Sequence, residues 1–592
     1  MNDEYFQADI SKYIWDLKYR YRDVNVIHDK TIEDTWHRIA KSLARIEKTD
    51  CESWEKKFYN ILEGFKFIPG GRIQAGAGTK HRVTLFNCFV MGIVHDSIEG
   101  IFNSLKEGAL TMQYGGGVGY DFSTLRPRGS HAKSTGTTAS GPVSFMQIWD
   151  AMCATLIATG TRRGAMMAAL RCDHPDIEEF INAKIDSGVL THFNLSILIT
   201  KEFINAVKKN EDWKLVFPVS EISDAGQSDS DIVMRQWSGS TGPVLCKVAS
   251  IINARSLWGK IMHNTYNYAE PGILFIDRIN QQNNLWYKEY ISATNPCGEI
   301  PLPPYGACNL GAVNLTRFVY KPFSEDAYID LKNIEKTVTI AVRMLDNVID
   351  ASLFPLAKQK EQALNCRRIG LGLTGLADAL IMLGLHYDSN AARGMAEKIM
   401  KSICYTAYRS SIDLAKEKGS FPYLEKEKYI NGNFIKNLPN NIKDGICKNG
   451  IRNSHLVTIA PTGTTSILAN NISSGIEPVF DFSYRREIIG ADGHKNIYSL
   501  NDYSYSLWRS MNNEKKPLPE QFINAKNLSP LGHLKMQSVL QKYIDNGISK
   551  TINVPENYSF GNFKSLYMKA YEYKLKGCTT YRNNPITGSV LS

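Results

Sequence analysis

Apolar residues recur along the first part of the chain with the periodicity of helices. Between Tyr5 and Phe67, apolar and aromatic positions are spaced three and four residues apart, which is typical of amphipathic helices. A polar turn precedes a second such pattern, which begins near Asp34. The pattern therefore predicts an N-terminal helical region that spans residues 1–68.

From residue 69 onward, short apolar runs alternate with helical patterns. The run Val83–Val90 predicts a buried strand that carries Cys88, and Leu331–Ile349 predicts a long helix. This alternation indicates an α/β architecture with parallel strands. We therefore expect residues 69–592 to form one large α/β domain.

Composition and charge narrow the functional class. The chain has 592 residues and a formal charge of +10, but its basic residues are interspersed with acidic ones, which disfavours a nucleic-acid partner. It opens without the features of a signal peptide, and no apolar run has the length of a membrane span. We expect a cytoplasmic protein whose eleven cysteines are reduced unless they cycle in catalysis. Because CxxC and HExxH are absent, we expect no structural zinc site, no thioredoxin-type motif and no metal ligands.

A stiff, polar loop is predicted at Ile291–Leu310. Four prolines between residues 296 and 304 exclude a regular helix there. At its centre, Cys297 lies two residues from an amide, Asn295, and two residues from a carboxylate, Glu299. An isolated cysteine is usually a small hydrophobic residue, but an amide and a carboxylate at this spacing favour a functional loop.

Two further segments have the composition of anion-binding sites. Residues 460–466 follow a short apolar strand and precede an apolar helix, so their hydroxyl and N–H groups suit a phosphate, although they could serve only as helix caps. A basic, Gly-rich loop around Arg162 and Arg163 follows a helix-like segment. For this loop, a nucleotide site and a solvated surface are both compatible with the composition.

Five motifs, taken in order, resemble the catalytic chain of a ribonucleotide reductase, and the resemblance covers almost the whole sequence. They are FNC ending at Cys88, NPCGE at Asn295–Glu299, CNLGAVNL from Cys308, GLGLTGLAD at Gly370–Asp378 and APTGTTS at Ala460–Ser466. The resemblance implies a ten-stranded α/β barrel of two antiparallel halves, each of five parallel strands, around a central finger loop.

The resemblance also implies a role for each matching residue. Cys297 would form the thiyl radical that removes the 3′-hydrogen of the ribose, and Glu299 would act as the general base on the 3′-hydroxyl. Asn295 would hold the ribose, and Cys88 and Cys308 would be the reducing pair that ends as a disulfide. The residues implied for substrate binding are Asn87, Gly117, Pro461, Thr462, Gly463, Thr464 and Thr465, and those for effector binding are Asp150, Arg162 and Arg163.

The C-terminal sequence bears on the source of the radical. Thr579 and Thr580 stand where the two-subunit class has a tyrosine pair, and threonine is too hard to oxidise to relay a radical. The chain therefore looks most like the adenosylcobalamin-dependent reductases, with ribonucleoside diphosphates as the expected substrates. Because Tyr581 is adjacent, the alternative is a large subunit without a cofactor that receives its radical from a separate di-metal subunit.

The resemblance further implies three partners besides the ribonucleotide: a dNTP or ATP specificity effector, a thioredoxin-like or small-thiol reductant, and a second copy of the chain in a homodimer. Cys578 is the last cysteine, so the tail cysteine pair typical of the family lies on another polypeptide, is missing from this sequence, or is replaced by an external thiol. A remote alternative is a non-catalytic regulatory protein that binds nucleotides. The presence of all three catalytic cysteines, with Asn295 and Glu299, argues against it.

Overall fold

The computed structural model describes residues 5–23, 26–130, 138–158, 162–186, 188–219, 232–489, 495–513 and 515–583. Helices dominate the start of the chain, as the hydrophobic pattern predicts, with one short hairpin between them. The elements there are α1 (Asp9–Lys18), β1 (Arg22–Asp23), β2 (Val26–Ile27), α2 (Ile32–Ala44) and α3 (Cys51–Leu62).

Helix α2 begins at a capping box and buries one face. Thr31 Oγ1 accepts a hydrogen bond from Asp34 N, and the Asp34 carboxylate accepts one from Thr31 N. This reciprocal pair satisfies donors that the first turn of a helix leaves open. The buried face carries Trp36, Ile39 and Leu43, so packing stabilises the helix beyond its intrinsic propensity.

Arg38 on α2 connects the end of α1 to the segment that follows the N-terminal helices. Its guanidinium pairs with the buried Asp29 at 2.9 Å. It also donates hydrogen bonds to Tyr19 O at 3.2 Å and to Gln74 O at 3.1 Å. The C-terminal end of α1 is therefore held against the first segment of the α/β region.

Strands and helices alternate from residue 67 to residue 281. The strands are β3 (Phe67–Pro69), β4 (Cys88–Val90), β5 (Gly117–Asp121), β6 (Ile157–Ala158), β7 (Arg162–Arg163), β8 (Met166–Arg171), β9 (Phe193–Ile199), β10 (Asp212–Pro218), β11 (Ile232–Gln236), β12 (Pro243–Asn253) and β13 (Gly272–Phe275). The helices are α4 (Gly71–Gly76), α5 (Ile98–Gln113), α6 (Pro142–Thr155), α7 (Ile177–Asn182), α8 (Lys201–Lys209), α9 (Ala254–Tyr268) and α10 (Ile276–Gln281).

The same alternation continues to the end of the described chain. The strands are β14 (Ala293–Thr294), β15 (Pro301–Leu302), β16 (Ala307–Asn314), β17 (Val319–Tyr320), β18 (Tyr328–Ile329), β19 (Ile369–Thr374), β20 (Ser483–Ile489), β21 (Lys495–Asn501), β22 (Thr551–Val554) and β23 (Gly577–Arg582). The helices are α11 (Leu331–Ala351), α12 (Ala357–Cys366), α13 (Leu376–Met382), α14 (Asn390–Lys418), α15 (Lys426–Ile430), α16 (Asn433–Lys436), α17 (Asn440–Asn449), α18 (Gly463–Leu468), α19 (Tyr503–Met511), α20 (Pro530–Gln541) and α21 (Phe560–Glu572).

Ten strand segments pair side by side in a ring. In the first half, β4, β5, β8, β9 and β13 are parallel neighbours in that order. In the second half, β16 is parallel to β19 and β22 is parallel to β23, and residues 456–459 join these pairs through the parallel bridges Leu371–Val457 and Ile459–Ile548. The halves meet in the antiparallel pairs β4–β16 and β13–β23. This arrangement confirms the predicted α/β barrel.

The loop predicted at Ile291–Leu310 is a hairpin inside the ring only in its first part, because residues from Ala307 onward, Cys308 included, belong to the strand β16. Its short strands β14 and β15 pair antiparallel, and β14 packs against β4, β5 and β8. A Cβ atom on Gly119 of β5 would lie 1.8 Å from Thr294 O, so the loop approaches the barrel wall where only glycine leaves room. We call residues 293–302 the finger loop.

The strand predicted at Val83–Val90 is only partly present, because β4 covers just Cys88–Val90. Upstream, Thr84 N donates to Tyr114 O and Leu85 N donates to Ser352 Oγ. These backbone donors therefore bond to a turn and a side chain, and the segment does not pair as a strand.

Across the described ranges, no helix has both the length and the apolarity needed to span a lipid bilayer.

Candidate active site

A cavity of about 450 Å³ surrounds the tip of the finger loop. Its walls come from the end of α1, from α4, from the starts of β4 and β5, and from the segment before α18. Of the predicted site residues, those that line it are Asn87, Cys88, Gly117, Asn295, Cys297, Glu299, Pro461, Thr462, Gly463, Thr464 and Thr465. The fold therefore brings together residues that are distant in the sequence.

The tip of the finger loop is a tight turn closed by its own hydrogen bonds. Gly298 has φ +78°, a left-handed conformation that favours glycine, and its N–H donates to Asn295 O at 3.0 Å. Asn295 Oδ1 accepts a hydrogen bond from Ile300 N at 2.9 Å. Asn295 thus holds the turn as well as facing the cavity.

Neighbouring segments fix the base of the finger loop. Glu299 O accepts hydrogen bonds from Gly547 N at 2.8 Å and from Thr458 Oγ1 at 3.0 Å. On the other side, Asn194 Nδ2 donates to Pro296 O at 2.8 Å. The backbone on both sides of Cys297 is therefore anchored to the barrel.

Cys88 and Cys308 lie directly opposite each other in the antiparallel pair β4–β16. Directly opposed Cα atoms in such a pair are roughly 4.5–5.5 Å apart, which lies within the range of about 4.4–6.8 Å that a disulfide spans. Both cysteines are buried and both are free thiols. The register therefore allows a disulfide without a rearrangement of the barrel.

Cys88 also contacts the finger loop. Asn295 Nδ2 donates to Cys88 Sγ at 3.1 Å, and Cys88 Sγ donates to Glu299 Oε1 at 3.9 Å. Burial raises the pKa of Cys88 well above its ordinary value, the Glu299 charge raises it further, and the Asn295 hydrogen bond opposes this. Burial likewise raises the pKa of Cys308. Both groups are therefore held as protonated thiols, able to donate protons.

Cys297 differs from its neighbours in being exposed. Asn295 and Glu299 are each only 1% exposed, so the thiol is the accessible group at the tip. Nearby, the Oδ1 atom of Asn87 is buried and accepts no hydrogen bond within the described ranges. An accessible thiol thus lies above a buried set of thiols, an amide and a carboxylate, an arrangement suited to radical and acid–base chemistry on a bound molecule.

The predicted anion site lies on the wall formed by Pro461–Thr465. Its hydroxyl groups are less available than the sequence suggests. Thr462 Oγ1 accepts a hydrogen bond from Gly475 N at 2.9 Å and lies 2.9 Å from Thr374 Oγ1, while Thr465 Oγ1 donates to Thr462 O at 3.0 Å. The donors that remain are mainly the backbone N–H groups at the start of α18, which have no partner within the helix.

Sequence reasoning missed three cations that line the cavity, namely Lys18, Arg72 and Arg486. Arg72 lies in the Gly-rich stretch that opens α4. A basic residue within a Gly-rich turn was a signal that sequence reasoning could have used. Lys18 and Arg486 reach the cavity only through tertiary packing, and no local pattern marks them.

For metals, the described ranges hold no group of three or more His, Cys, Asp or Glu side chains suited to an ion.

The predicted effector residues do not line this cavity. The Asp150 carboxylate on α6 accepts a hydrogen bond from His192 N at 2.8 Å. Arg162 and Arg163 form β7, which pairs with β6, and the loop residues 159–161 lie outside the described ranges. The effector assignment stays a prediction.

A buried polar cluster supports the finger loop from below. The Asp545 carboxylate accepts hydrogen bonds from Leu456 N and Val457 N at 2.8 and 3.0 Å. Lys576 Nζ donates hydrogen bonds to Asp545 O and Asn546 O. The next residue, Gly547, is the one whose N–H donates to Glu299 O of the finger loop. Burial lowers the pKa of Lys576 to about 7.

Comparisons with known proteins agree with this geometry. The family described as "Ribonucleotide reductase, barrel domain" matches residues 86–581, and "Ribonucleotide reductase, all-alpha domain" matches residues 5–82. The vitamin B12-dependent ribonucleoside-diphosphate reductase of Mycobacterium tuberculosis (strain CDC 1551 / Oshkosh) is 34% identical over 575 residues, which cover 94% of this chain and 75% of the relative. The protein of the same name from Thermoplasma acidophilum is 35% identical over 581 residues, covering 95% and 69%.

A more distant relative carries a different name. The ribonucleoside-diphosphate reductase subunit alpha of Chlamydia pneumoniae is 26% identical over 628 residues, which cover 96% of this chain and 59% of the relative. Both family domains are thus present here in sequence, and the cavity brings their motif residues together. The chain belongs to the ribonucleotide reductase large-chain family.

Proposed function

We propose that this chain reduces ribonucleoside diphosphates to 2′-deoxyribonucleoside diphosphates by thiyl-radical chemistry. The observation that carries the proposal is the placement of the Cys88–Cys308 dithiol, in disulfide register, beneath the exposed Cys297. Both close relatives are named as reductases of ribonucleoside diphosphates. Reduction of such substrates supplies precursors for DNA synthesis.

Each residue at the tip has a part in a balanced reaction. The Cys297 thiyl takes the hydrogen atom from C3′ of the ribose, and Glu299 accepts the proton of the 3′-hydroxyl. The 2′-hydroxyl leaves as water with a proton from the dithiol. The second thiol supplies the hydrogen that replaces the hydroxyl at C2′, so Cys88 and Cys308 together give two electrons and close a disulfide. Glu299 returns its proton to the 3′-oxygen, and Cys297 returns its hydrogen atom to C3′.

Asn295 has a positioning part in this scheme. Its amide holds Cys88 Sγ on one side and the turn of the finger loop on the other. It can therefore keep the reducing thiol at a constant distance from the ribose while Cys297 reacts. Such fixed placement is worth large factors in rate, because small displacements of reacting groups are costly.

Adenosylcobalamin is the cofactor that we propose. The relatives at 34% and 35% identity are named as vitamin B12-dependent, which favours this cofactor over a radical from a separate metal subunit. When bound, it would supply the radical that oxidises the Cys297 thiol. The two-subunit alternative lacks support at positions 579 and 580, since Thr580 Oγ1 is hydrogen-bonded to Tyr567 OH at 3.0 Å and neither position carries a redox-active ring.

The barrel interior beside Cys297 is bordered by small residues. The place that a Cβ of Gly298 would occupy has no atom within 4 Å. On the strand β13, Gly272 lies between two small side chains, with its Cβ position 3.2 Å from Ser196 Oγ and 3.5 Å from Thr579 Oγ1. Small side chains on this side are compatible with a bulky cofactor, and we propose that Gly298, Ser196 and Thr579 would border it.

This open side adjoins the finger loop directly. Asn194, which bonds to Pro296 O, lies two residues before Ser196 on β9. Residues two apart on a strand share a face, so Ser196 faces the same interior as the loop tip. The proposed cofactor side and the substrate side therefore meet at Cys297.

Substrate binding is proposed on the opposite wall. The backbone donors of Pro461–Thr465 suit the phosphates, and Asn87 offers a buried acceptor near Cys88 for a ribose hydroxyl. Gly117 lies against the finger loop, with its Cβ position 3.2 Å from Pro296 Cγ. A larger residue there would narrow the ribose site.

Effector and homodimer partners are proposed around α5 and α6. Helix α5 exposes Ile98, Phe102 and Leu110, which are 64%, 48% and 38% exposed and lie on one face of the helix. This stripe suits the same stripe of a second copy. Asp150 on the neighbouring α6, with Arg162 and Arg163, would then bind a dNTP or ATP effector near the interface.

The reductant is proposed to act through the cavity. Cys88 lines it but is only 4% exposed, and Cys308 is fully buried. A small dithiol, or a thin segment of a thioredoxin-like partner, can reach this disulfide more readily than a folded protein surface.

Purified chain incubated with adenosylcobalamin, dithiothreitol and CDP tests the proposed function. We expect dCDP without any added metal subunit. Cys297→Ser should abolish turnover and retain CDP binding, whereas the matched variant Cys51→Ser, which removes another exposed thiol, should react like the parent. Activity that appears only with a separate radical subunit would overturn the cofactor assignment, and turnover by Cys297→Ser would overturn the radical site.

A further inference from the structure

The charges around the cavity are unevenly placed. Lys18, Arg72 and Arg486 line it, and Glu299 at the fingertip is the acidic residue among its described lining. The wall proposed for the phosphates, Pro461–Thr465, carries no charge. Hydrogen bonds from charged donors to anions are stronger than those from neutral donors, so the cations that line the same cavity are candidates to bind the phosphates.

Two of the three cations belong to elements that flank α18, the helix that follows the phosphate wall. On one side, α1 packs on α18, where Ser11 Oγ donates to Ile467 O at 2.6 Å. Just after α18, the Asn470 side chain accepts a hydrogen bond from Gln7 N at 2.8 Å. This bond fixes the segment that leads into α1. Lys18 is the last residue of α1.

On the other side lies the hairpin β20–β21. Tyr484 OH donates to Asn471 Oδ1 at 2.9 Å, just after α18. The hairpin also meets α1, because the rings of Tyr13 and Tyr498 lie 5.3 Å apart. Arg486 follows Tyr484 on the same face of β20. Helix α1 and the hairpin therefore converge over α18, and each contributes one cation to the lining of the cavity.

Arg72 lies on α4, against which the C-terminal end of α1 is held. The Cβ position of Gly115 lies 2.5 Å from Arg72 Cζ, so its guanidinium lies against the turn that leads to Gly117. A Cβ on Gly117 would in turn lie 3.2 Å from Pro296 Cγ of the finger loop. Arg72 thus lies beside the turn that leads to the fingertip, on an element that does not itself pack on α18.

The phosphate wall alone discriminates poorly between substrates. Because the Thr462 and Thr465 hydroxyls are already engaged, it offers mainly backbone donors, which any phosphate can use. A terminal phosphate that extends toward the cavity mouth needs a further partner, and it carries the charge that a lysine and an arginine recognise.

We propose that Lys18 and Arg486 form a clamp that binds the terminal phosphate of a nucleoside diphosphate and so selects diphosphates over monophosphates. The clamp rests on the proposed function and names the groups that set its substrate class. It also gives the N-terminal helix a direct part in substrate recognition.

The test compares Arg486→Gln with Arg485→Gln, its neighbour on the opposite, exposed face of the strand. The reduced full-length chain is titrated with CDP and with CMP by calorimetry, without cofactor. Arg486→Gln should weaken CDP binding by about tenfold to a hundredfold, the usual value of a hydrogen bond to a charged group. CMP binding should change less than threefold, and Arg485→Gln should bind both nucleotides like the parent.

Lys18→Gln and its control Lys12→Gln, an exposed lysine earlier on α1, should repeat this contrast. Unchanged CMP binding shows that each variant is folded with an intact site, and Arg486→Lys should recover part of the CDP affinity. Equal CDP binding by the two arginine variants, or equal loss of CDP and CMP, would overturn the clamp. A chain that binds CDP as described but never reduces it would instead overturn the proposed function and leave the clamp in place.

Discussion

Replacing Gly119 by alanine should displace the finger loop that carries Cys297. The added Cβ would lie 1.8 Å from Thr294 O, whereas a Cβ essentially never lies under 3.0 Å from a heavy atom, so the strand and the loop must separate by roughly 1.2 Å. Thr294 is followed directly by the turn that presents the thiol. A displacement of about 1 Å at a reacting group costs about a hundredfold in rate.

The assay is steady-state reduction of CDP with adenosylcobalamin and dithiothreitol, together with CDP titration by calorimetry. We expect kcat to fall about a hundredfold while CDP affinity stays within threefold, because Pro461–Thr465 lie on a different wall. Gly259→Ala in α9 is the matched control, since its Cβ would meet no atom within 4 Å. It should leave kcat unchanged.

Near-parental turnover by Gly119→Ala would refute the reasoning, because it would mean that the finger loop does not hold Cys297 at a critical distance. Loss of CDP binding in parallel with kcat would refute it in another way, by showing that the substrate wall moves with the loop. The melting temperature, compared with that of Gly259→Ala, shows whether the variant is folded.

Three further predictions follow from the site. Glu299→Gln should lower kcat by about a hundredfold to ten-thousandfold while CDP affinity is retained, as expected for loss of a general base; a smaller loss would place the base elsewhere. Tyr581→Phe should leave turnover within twofold, since no tyrosine relay is proposed, and a large loss would favour a separate radical subunit. Lys576→Met tests burial of charge: because burial lowers the pKa of Lys576 to about 7, far below the ordinary value of about 10.4, the unfolded chain binds more protons than the folded chain between these pH values, and stability from this group rises with pH. The melting temperature of the parent should therefore rise relative to that of the variant from pH 7 to pH 10. A difference that does not change with pH would contradict the lowered pKa of Lys576.

Local patterns predicted much of the architecture. The spacing of apolar residues identified the N-terminal helices, because one face of α2 is buried along its length. The prolines and the closely spaced Asn295, Cys297 and Glu299 indicated the finger loop, because these functional groups lie within five residues of one another in the sequence. The strand predicted at Val83–Val90 was too long, since its first donors bond to Tyr114 O and Ser352 Oγ, which no local pattern can indicate.

The assembled site depended on long-range pairing. The opposition of Cys88 and Cys308 follows from the register of β4 against β16, and only the family resemblance suggested it beforehand. The engagement of the Thr462 hydroxyl by Gly475 N, and the approach of Arg486 to the cavity, depend on contacts between separate elements. Such contacts leave no trace in spacing or composition.

A single-turnover experiment tests the central claim most directly. The pre-reduced chain is mixed with adenosylcobalamin and CDP in the absence of any reductant, and dCDP and the state of every cysteine are quantified by mass spectrometry. The account predicts one dCDP for each disulfide formed, with that disulfide joining Cys88 and Cys308. Formation of dCDP with both of these cysteines still reduced, or with a disulfide between other cysteines, would contradict it.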